Sequence, residues 1–241
     1  MDNGLFDIHC HILPAFDEGP SHRGETLRML QIAKKDGISG IVATPHIMNG
    51  VYDHSREAIE KAVAEANNLT DNLPIYSGAE VRISKDLLQR AAGNDLPLIN
   101  GKSFLLVELP TYLIPPVSEL EIMVRNLGAM NITPIFTHPE RNLAILHDVS
   151  VMGRLIQCGA LFQITAMSIT KQLGGSIERA ALKMIKKGYV HVVASDAHDA
   201  EKRPPILSEA FLKISRRFGE DEARRLFVNN PFRIIHGERV E

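Results

Sequence analysis

Cysteine is nearly absent. Cys10 and Cys158 are the only two in 241 residues, too few for a disulfide framework, so the cytoplasm is the expected compartment. No apolar run approaches the ~18 residues that a membrane span needs, so no membrane insertion is expected. The opening "MDNGLFDIHCH" lacks a basic region followed by a long apolar segment, and no signal peptide is expected from it. There is little net charge. Twenty-seven basic against 29 acidic side chains leave −2, which gives no reason to expect a nucleic-acid or membrane-surface partner. Pro/Gly/Ser-rich linkers, low-complexity tracts and charge blocks are missing too, so 1–241 is expected to be one domain.

What the chain does have is a rhythm. Seven short apolar, β-branched runs recur at intervals of roughly thirty residues: "LFDIH" (5–9), "GIVATPH" (40–46), "PIYSGAE" (74–80), "SFLLVE" (103–108), "TPIFTH" (133–138), "ALFQIT" (160–165) and "HVVASD" (191–196). Most are continuous rather than alternating, as buried parallel strands are. Helical patterns separate them. Residues 21–36 run from a Ser21 cap to a Gly37 stop, with Leu27, Leu30 and Ala33 on one face. Residues 55–69 place Ile59, Ala62, Val63 and Ala66 in one stripe behind a Ser55 cap. Segments 117–130, 149–158, 176–187 and 205–218 behave similarly. Alternation of this kind makes βαβ units, and seven of them predict an α/β fold, a distorted (β/α)7 barrel.

The suggestive polar residues fall at the strand exits. His9 and His11 close the first run, His46 the second, Glu80 the third, Glu108 the fourth and His138 the fifth, with Asp196 and His198 at the seventh. In such barrels the loops at the carboxyl ends of the strands converge on one mouth, where active sites sit. Asp17, on the loop after the first run, can bend over the same rim. Strand alternation would point Asp7, His9 and His11 to one side and Cys10 to the other. Nine ligands exceed what one catalytic zinc takes, so a cluster of two or three ions with a bridging carboxylate is expected. Mixed imidazole and carboxylate donors without thiolate suit Mn²⁺, Fe or Zn²⁺. Such clusters activate water and clamp phosphoryl oxygens. Arg141 in "HPER" and Arg203 in "DAHDAEKRPP" sit in loops at the same rim, where a guanidinium can grip phosphate.

A cysteine-dependent phosphatase is excluded by a count. It needs an arginine six residues after its nucleophile, and those positions hold Phe16 and Ile164. A buried Cys10 should keep a raised pKa and stay inert. His22, His54, His147, His191 and His236 lie in helix or loop patterns, or at the far end of a strand, and take surface or packing roles. Among these, His54 and Tyr52 in "MNGVYDHS", with Phe16 and Met48, lie close enough to the rim to line it.

The stretches "DIHCHILPAFDEGP", "ATPH", "GAE", "VEL", "THPER" and "ASDAH" followed by "RPP" resemble the PHP metallohydrolase superfamily. Within it they resemble the bacterial manganese-dependent protein tyrosine phosphatases of the CpsB/YwqE type, over residues 5–236. The resemblance implies a trinuclear cluster. His9, His11, Glu80 and Asp196 would hold one ion, with Glu80 bridging to a second held by Glu108 and His138. Asp17, His46 and His198 would hold the third. Arg141 and Arg203 match positions that grip the substrate phosphate. It also implies phosphotyrosine hydrolysis by a metal-bridging hydroxide, with Asp196 or His198 able to orient or protonate near the leaving group. The substrate would be the C-terminal tail of a tyrosine kinase controlling capsule or exopolysaccharide synthesis. A small-molecule phosphoesterase such as a histidinol phosphatase, and a non-catalytic regulatory module, are the alternatives from other classes. Two positions depart from the pattern: Asn142 follows Arg141 where tyrosine is common, and Thr165 stands where asparagine is common.

Overall fold

The β-branched runs form strands, and every pairing between them is parallel in the computed structural model, which describes residues 4–48 and 50–240. Residues 1–3, 49 and 241 of the expected single domain lie outside the described residues. The strands are β1 (Leu5–Cys10), β2 (Ile38–Ala43), β3 (His46–Ile47), β4 (Ile75–Ser77), β5 (Glu80–Arg82), β6 (Phe104–Glu108), β7 (Thr133–Thr137), β8 (Leu161–Thr165) and β9 (Val192–Ala194).

The second and third runs are each broken in two, contrary to the expectation of single strands. β1-β2-β4 form one sheet and β3-β5-β6-β7-β8-β9 another. Pro45 has no N–H to donate and interrupts the second run. In the third run the break falls at Gly78, where an added Cβ would meet Val42 Cγ1 at 2.8 Å. The halves stay connected: Thr44 N donates to Cys10 O at 2.9 Å and Glu80 N to Pro45 O at 3.1 Å. Beyond β9, Asp196 N donates to His9 O and His11 N to Ala197 O, both at 2.8 Å. The last strand's exit thus lies alongside the first strand, in the order of a TIM-like (β/α)7 barrel.

Glu80 stands opposite Leu106, and Leu106 opposite Ile135, so these three share one side of the sheet. Leu106 and Ile135 pack with Phe6, Ile8, Val42, Val192 and Ala194, and Ile234 and Ile235 of the C-terminal helix Asn230–His236 pack into the same cluster. A second, larger apolar cluster takes the opposite strand faces and the helices, with Phe136, Phe162 and Cys10 in it. β1 changes side between these clusters: Ile8 belongs to the first and Cys10 to the second. The register with β2 slips between Asp7 and Cys10, as at a β-bulge. Strict alternation therefore does not run from Asp7 to His11, which overturns the expectation that Asp7 shares the face of the two histidines.

The helix expected over 55–69 spans Arg56–Asn67, with the Ser55 hydroxyl accepting from Ala58 N and Ile59, Val63 and Ala66 buried. The helix expected over 21–36 spans Arg23–Lys35, and its cap is His22 rather than Ser21. His22 Nδ1 accepts from Glu25 N, while Ser21 N donates to the Glu25 carboxylate. Its buried face is Thr26, Met29, Leu30 and Ala33, and Leu27 is exposed.

His191 opens β9 at the end away from the strand exits. Its Nδ1 accepts from Phe162 N at 3.2 Å, a role open only to the neutral ring. Burial, with Arg225 nearby, pushes its pKa down to about 4. The unfolded chain protonates this ring near 6.5 and the folded one only near 4, so stability is lost as pH falls through that window, by up to about 3 kcal/mol. His191→Gln should therefore lose less stability than the parent between pH 7 and pH 4.5, in denaturant midpoints taken at both. Equal losses would refute this.

Candidate metal centre

Four donor atoms crowd the exits of β1 and β9 and the start of β5. His9 Nε2 and His11 Nε2 lie 3.2 Å apart. His9 Nε2 lies 3.3 Å from Glu80 Oε2 and 3.5 Å from Asp196 Oδ1, and His11 Nε2 lies 3.6 Å from each. Ligand atoms of His9, His11 and Asp196 all lie within 4.8 Å of one another, close enough to share one ion. Glu80 presents its other oxygen elsewhere: Oε1 accepts from Thr137 Oγ1 at 2.6 Å and lies 3.0 Å from His138 Nε2. Ligand atoms of Glu80, Glu108 and His138 all lie within 4.8 Å of one another. So do those of His11, His46 and His198.

Asp17 does not join the third group. Its Oδ2 lies 2.6 Å from His11 Nδ1 and accepts from His46 N at 2.9 Å, while Oδ1 accepts from Gly19 N. It orients His11 from behind. The neighbouring Glu18 is the carboxylate in front, with Oε1 3.0 Å from His46 Nε2 and 3.8 Å from His198 Nε2. Glu18 was not among the expected residues, although "DEGP" carries it beside Asp17; two adjacent acids on one loop cannot be ranked without the backbone path.

The electrostatics follow from burial and crowding. Burial alone would push the Glu80 carboxyl up, but His9 and His138 beside it hold it well below the usual range. Burial would likewise raise Asp196, and His9, His11 and Arg203 overcome it. The imidazoles answer in kind. Burial pulls His11 down, yet Asp17 and Asp196 raise it to about 10, and His9 is raised against burial by Glu80 and Asp196. His198 and His46 in front of it draw the Glu18 carboxyl down to about 2. His198 goes the other way, lowered by burial and by the nearby His11. The cluster is an anionic well, and a divalent cation suits it better than shared protons.

A frame of further residues holds these side chains. Gln163 Oε1 lies 2.9 Å from His9 Nδ1. Asp7 takes hydrogen bonds from Ser195 N and Ser195 Oγ, and burial raises its pKa to about 6. His138 and Asp196 both hold positive φ, 34° and 55°, an uncommon conformation for residues other than glycine. Burial pushes the Cys10 thiol pKa well up, as expected of an inert cysteine. His54 Nε2 bonds to Phe16 O and the two rings pack at 4.5 Å, pinning the loop that carries Asp17 and Glu18.

Both expected arginines converge on one atom. Arg141 Nη1 lies 2.6 Å and Arg203 Nη2 2.7 Å from Asp196 Oδ2. Asn142, where the resemblance breaks, is buried and has two bonds of its own. It caps the helix Leu143–His147 by accepting from Ile145 N at 3.0 Å and donates to Pro110 O at 2.6 Å. Glu140 ties the same loop to β8, accepting from Thr165 N and Ser168 Oγ.

Parallel strands whose exits carry imidazoles and carboxylates in three mutually adjacent groups define a TIM-like α/β protein with a candidate multinuclear metal centre. Residues 5–236 match the family model for capsular polysaccharide synthesis, CpsB/CapC, and the chain belongs to this family. The tyrosine-protein phosphatase YwqE of Bacillus subtilis is 32% identical over 90% of this chain and 86% of its own. The tyrosine-protein phosphatase CpsB of Streptococcus pneumoniae is 29% identical over 98% and 100%. A chain from the crystal structures of YwqE and CpsB, metal-dependent tyrosine phosphatases, superposes with a TM-score of 0.94 at 30% identity, covering 98% of this chain and 96% of that one. A dihydropyrimidinase from Brevibacillus agri, 13% identical, superposes with a TM-score of 0.56 over 98% and 71%, a likeness of fold alone.

Asn142→Ala removes both the cap and the bond to Pro110 and should destabilise the protein by about 2 kcal/mol. Asn142→Ser keeps a capping oxygen, loses the bond to Pro110 and should cost about half as much. Thermal unfolding of the two variants checks the order; equal costs would mean that the cap contributes nothing.

Proposed function

We propose that this chain is a metal-dependent phosphotyrosine-protein phosphatase. The observation that carries the reading is the buried Glu80, with one oxygen against His9, His11 and His46 and the other against His138. Glu80 Oε2 and His46 Nδ1 are buried, lie 3.1 Å apart, and make no hydrogen bond. Two orphaned donor atoms facing each other fit a shared cation.

His9, His11, Glu80 and Asp196 would hold a first ion, and Glu108 and His138, with Glu80 Oε1, a second. His46, His198 and Glu18 would hold a third, with Asp17 fixing the His11 ring. Bound ions supply Lewis acidity and lower the pKa of water, so that a nucleophile exists near neutral pH. Manganese is the proposed metal on the strength of the family resemblance; mixed imidazole and carboxylate donors without thiolate suit iron or zinc as well. Arg141 and Arg203 reach one point from two loops, each about a third exposed. From there their N–H groups can turn from Asp196 to phosphoryl oxygens and neutralise charge as the ester bond breaks. The leaving phenolate, with a pKa near ~10, departs readily. Cys10, buried with its thiol protonated, forms no phosphoenzyme.

The relatives' activity supports a phosphotyrosine substrate, and the surface agrees. Tyr112 and Leu113, 73% and 75% exposed, follow β6, and Leu143 is exposed beyond β7. Leu143 N donates to Thr111 O, which joins these residues into an apolar rim beside Arg141 suited to a protein substrate. The kinase tail, a single domain over 1–241 and a cytoplasmic location belong to the same reading. Among the described residues no helix is long and apolar enough to cross a membrane.

Protein loaded with Mn²⁺ should hydrolyse a phosphotyrosine peptide, leave a phosphoserine peptide and histidinol phosphate largely untouched, and stop when EDTA is added. Turnover of histidinol phosphate alone would overturn the substrate assignment, and turnover that survives EDTA the metal assignment. Glu80→Ala and His138→Ala should lose more than the roughly 10–100-fold typical of residues behind a metal ligand, whereas Cys10→Ser should stay within a few-fold. Glu18→Gln should bind fewer ions per chain by elemental analysis; Asp17→Asn should weaken binding without lowering the count at saturation. The reverse pattern would return Asp17 to the ligand set.

A further inference from the structure

Arg203 leads directly into a groove that the metal centre does not use. Beside Arg203, a narrow cleft runs between Met167, Thr170, Pro204, Ile206 and Glu209. It shares Thr170 and Glu209 with a cavity of about 730 Å³ along the helix Ser208–Phe218. That cavity shares Arg217 with a third, of about 320 Å³, against the helix Gly175–Lys186. The three lie in series along the helix Ser208–Phe218, linked by shared lining residues.

The walls of this groove are basic. Lys213, Arg216 and Arg217 line the larger cavity, and Arg179, Lys183 and Lys186 the last one. Against these six cations stand Glu178 and Glu209, a local excess of four positive charges in a chain whose total is −2. Of the six, only Lys213 has a carboxylate partner among the described residues, and that partner is Glu178. Leu212, 51% exposed, puts an apolar anchor in the middle of the groove.

We propose that this groove binds an acidic segment of the same polypeptide that presents the phosphotyrosine, and so sets which phosphoproteins are turned over. The proposal rests on the phosphatase reading above. Charge complementarity selects the occupant, and the continuity with Arg203 selects a segment covalently attached to the substrate. The Ser208–Phe218 helix has eleven residues and is about 16 Å long, which an extended chain passes in about five residues. The acidic residues should therefore fall within a run of about five on the flank of the phosphotyrosine that lies along this helix.

The test uses Mn²⁺-loaded protein and one phosphotyrosine peptide carrying a run of about five glutamates, or of glutamines, on either flank. On one flank, kcat/KM for the glutamate peptide should exceed that for the glutamine peptide by about tenfold, through KM, because several exposed pairs of less than tenfold each act together. The preference should vanish near 1 M salt, where the screening length is about 3 Å. The variant K183E/R216E/R217E should lose it and keep its rates on the glutamine peptide and on p-nitrophenyl phosphate. Equal values for the two peptides in the parent, or a preference that survives in the variant, overturns the proposal. So does a variant altered only in its binding to phosphatidylserine vesicles, which would make the surface a membrane contact. Turnover of the glutamine peptide without acidic preference defeats the groove alone. Failure on every phosphotyrosine peptide defeats the phosphatase reading and the groove with it.

Discussion

One buried carboxylate organises this molecule. Glu80 is fully enclosed, and an unpaired carboxylate there would be costly. It persists because Thr137 Oγ1 and His138 meet one oxygen and three imidazoles crowd the other. Those partners come from β1, β3 and the end of β7, so the strands cannot shift register without exposing Glu80 to apolar walls. The leucine and isoleucine opposite it in the sheet, Leu106 and Ile135, seal the cluster from below.

The surrounding frame aims side chains that ordinary strands would mispoint. Alternation alone would face Asp7 with His9 and His11. The register slip in β1 separates them, leaving Asp7 to bind Ser195 and freeing the two imidazole Nε2 atoms to approach each other. Just past β7 and β9, His138 and Asp196 take positive φ, and from that backbone His138 reaches Glu80 and Asp196 reaches His9. Strain of order 1–3 kcal/mol at each such residue is held by the hydrogen bonds around it, notably Asp196 N to His9 O and Arg141 N to His138 O.

Much of this was legible without coordinates. The period of the apolar runs marked the strands, and chemistry at their exits marked the site, because both are local in sequence. The resemblance of the motifs carried the family, which the comparisons bear out. Features that depend on the backbone path were not legible. The bulge in β1 leaves no compositional trace, and the breaks at Pro45 and Gly78 matter only because the halves change sheets. Asp17 and Glu18 are chemically alike, and the turn ending at Gly19 decides which carboxylate faces His46. The His22 cap was masked by Ser21, a residue type with a stronger capping preference.

The arginines connect the site to the surface. Two guanidiniums on one oxygen of Asp196 place positive charge at the lip of an anionic well. In the proposed reaction an incoming phosphoryl group would meet cations before the carboxylates, and repulsion from Glu80 and Glu108 would act only at closer range. Arg203 belongs to both worlds: it touches Asp196 on one side, and the chain leaving it through Pro204 forms the wall of the basic groove on the other. A phosphate gripped at Arg203 would orient the polypeptide attached to it. Selectivity among substrates can then reside in helices that never touch the reacting bond, while the cluster at the strand exits stays the same.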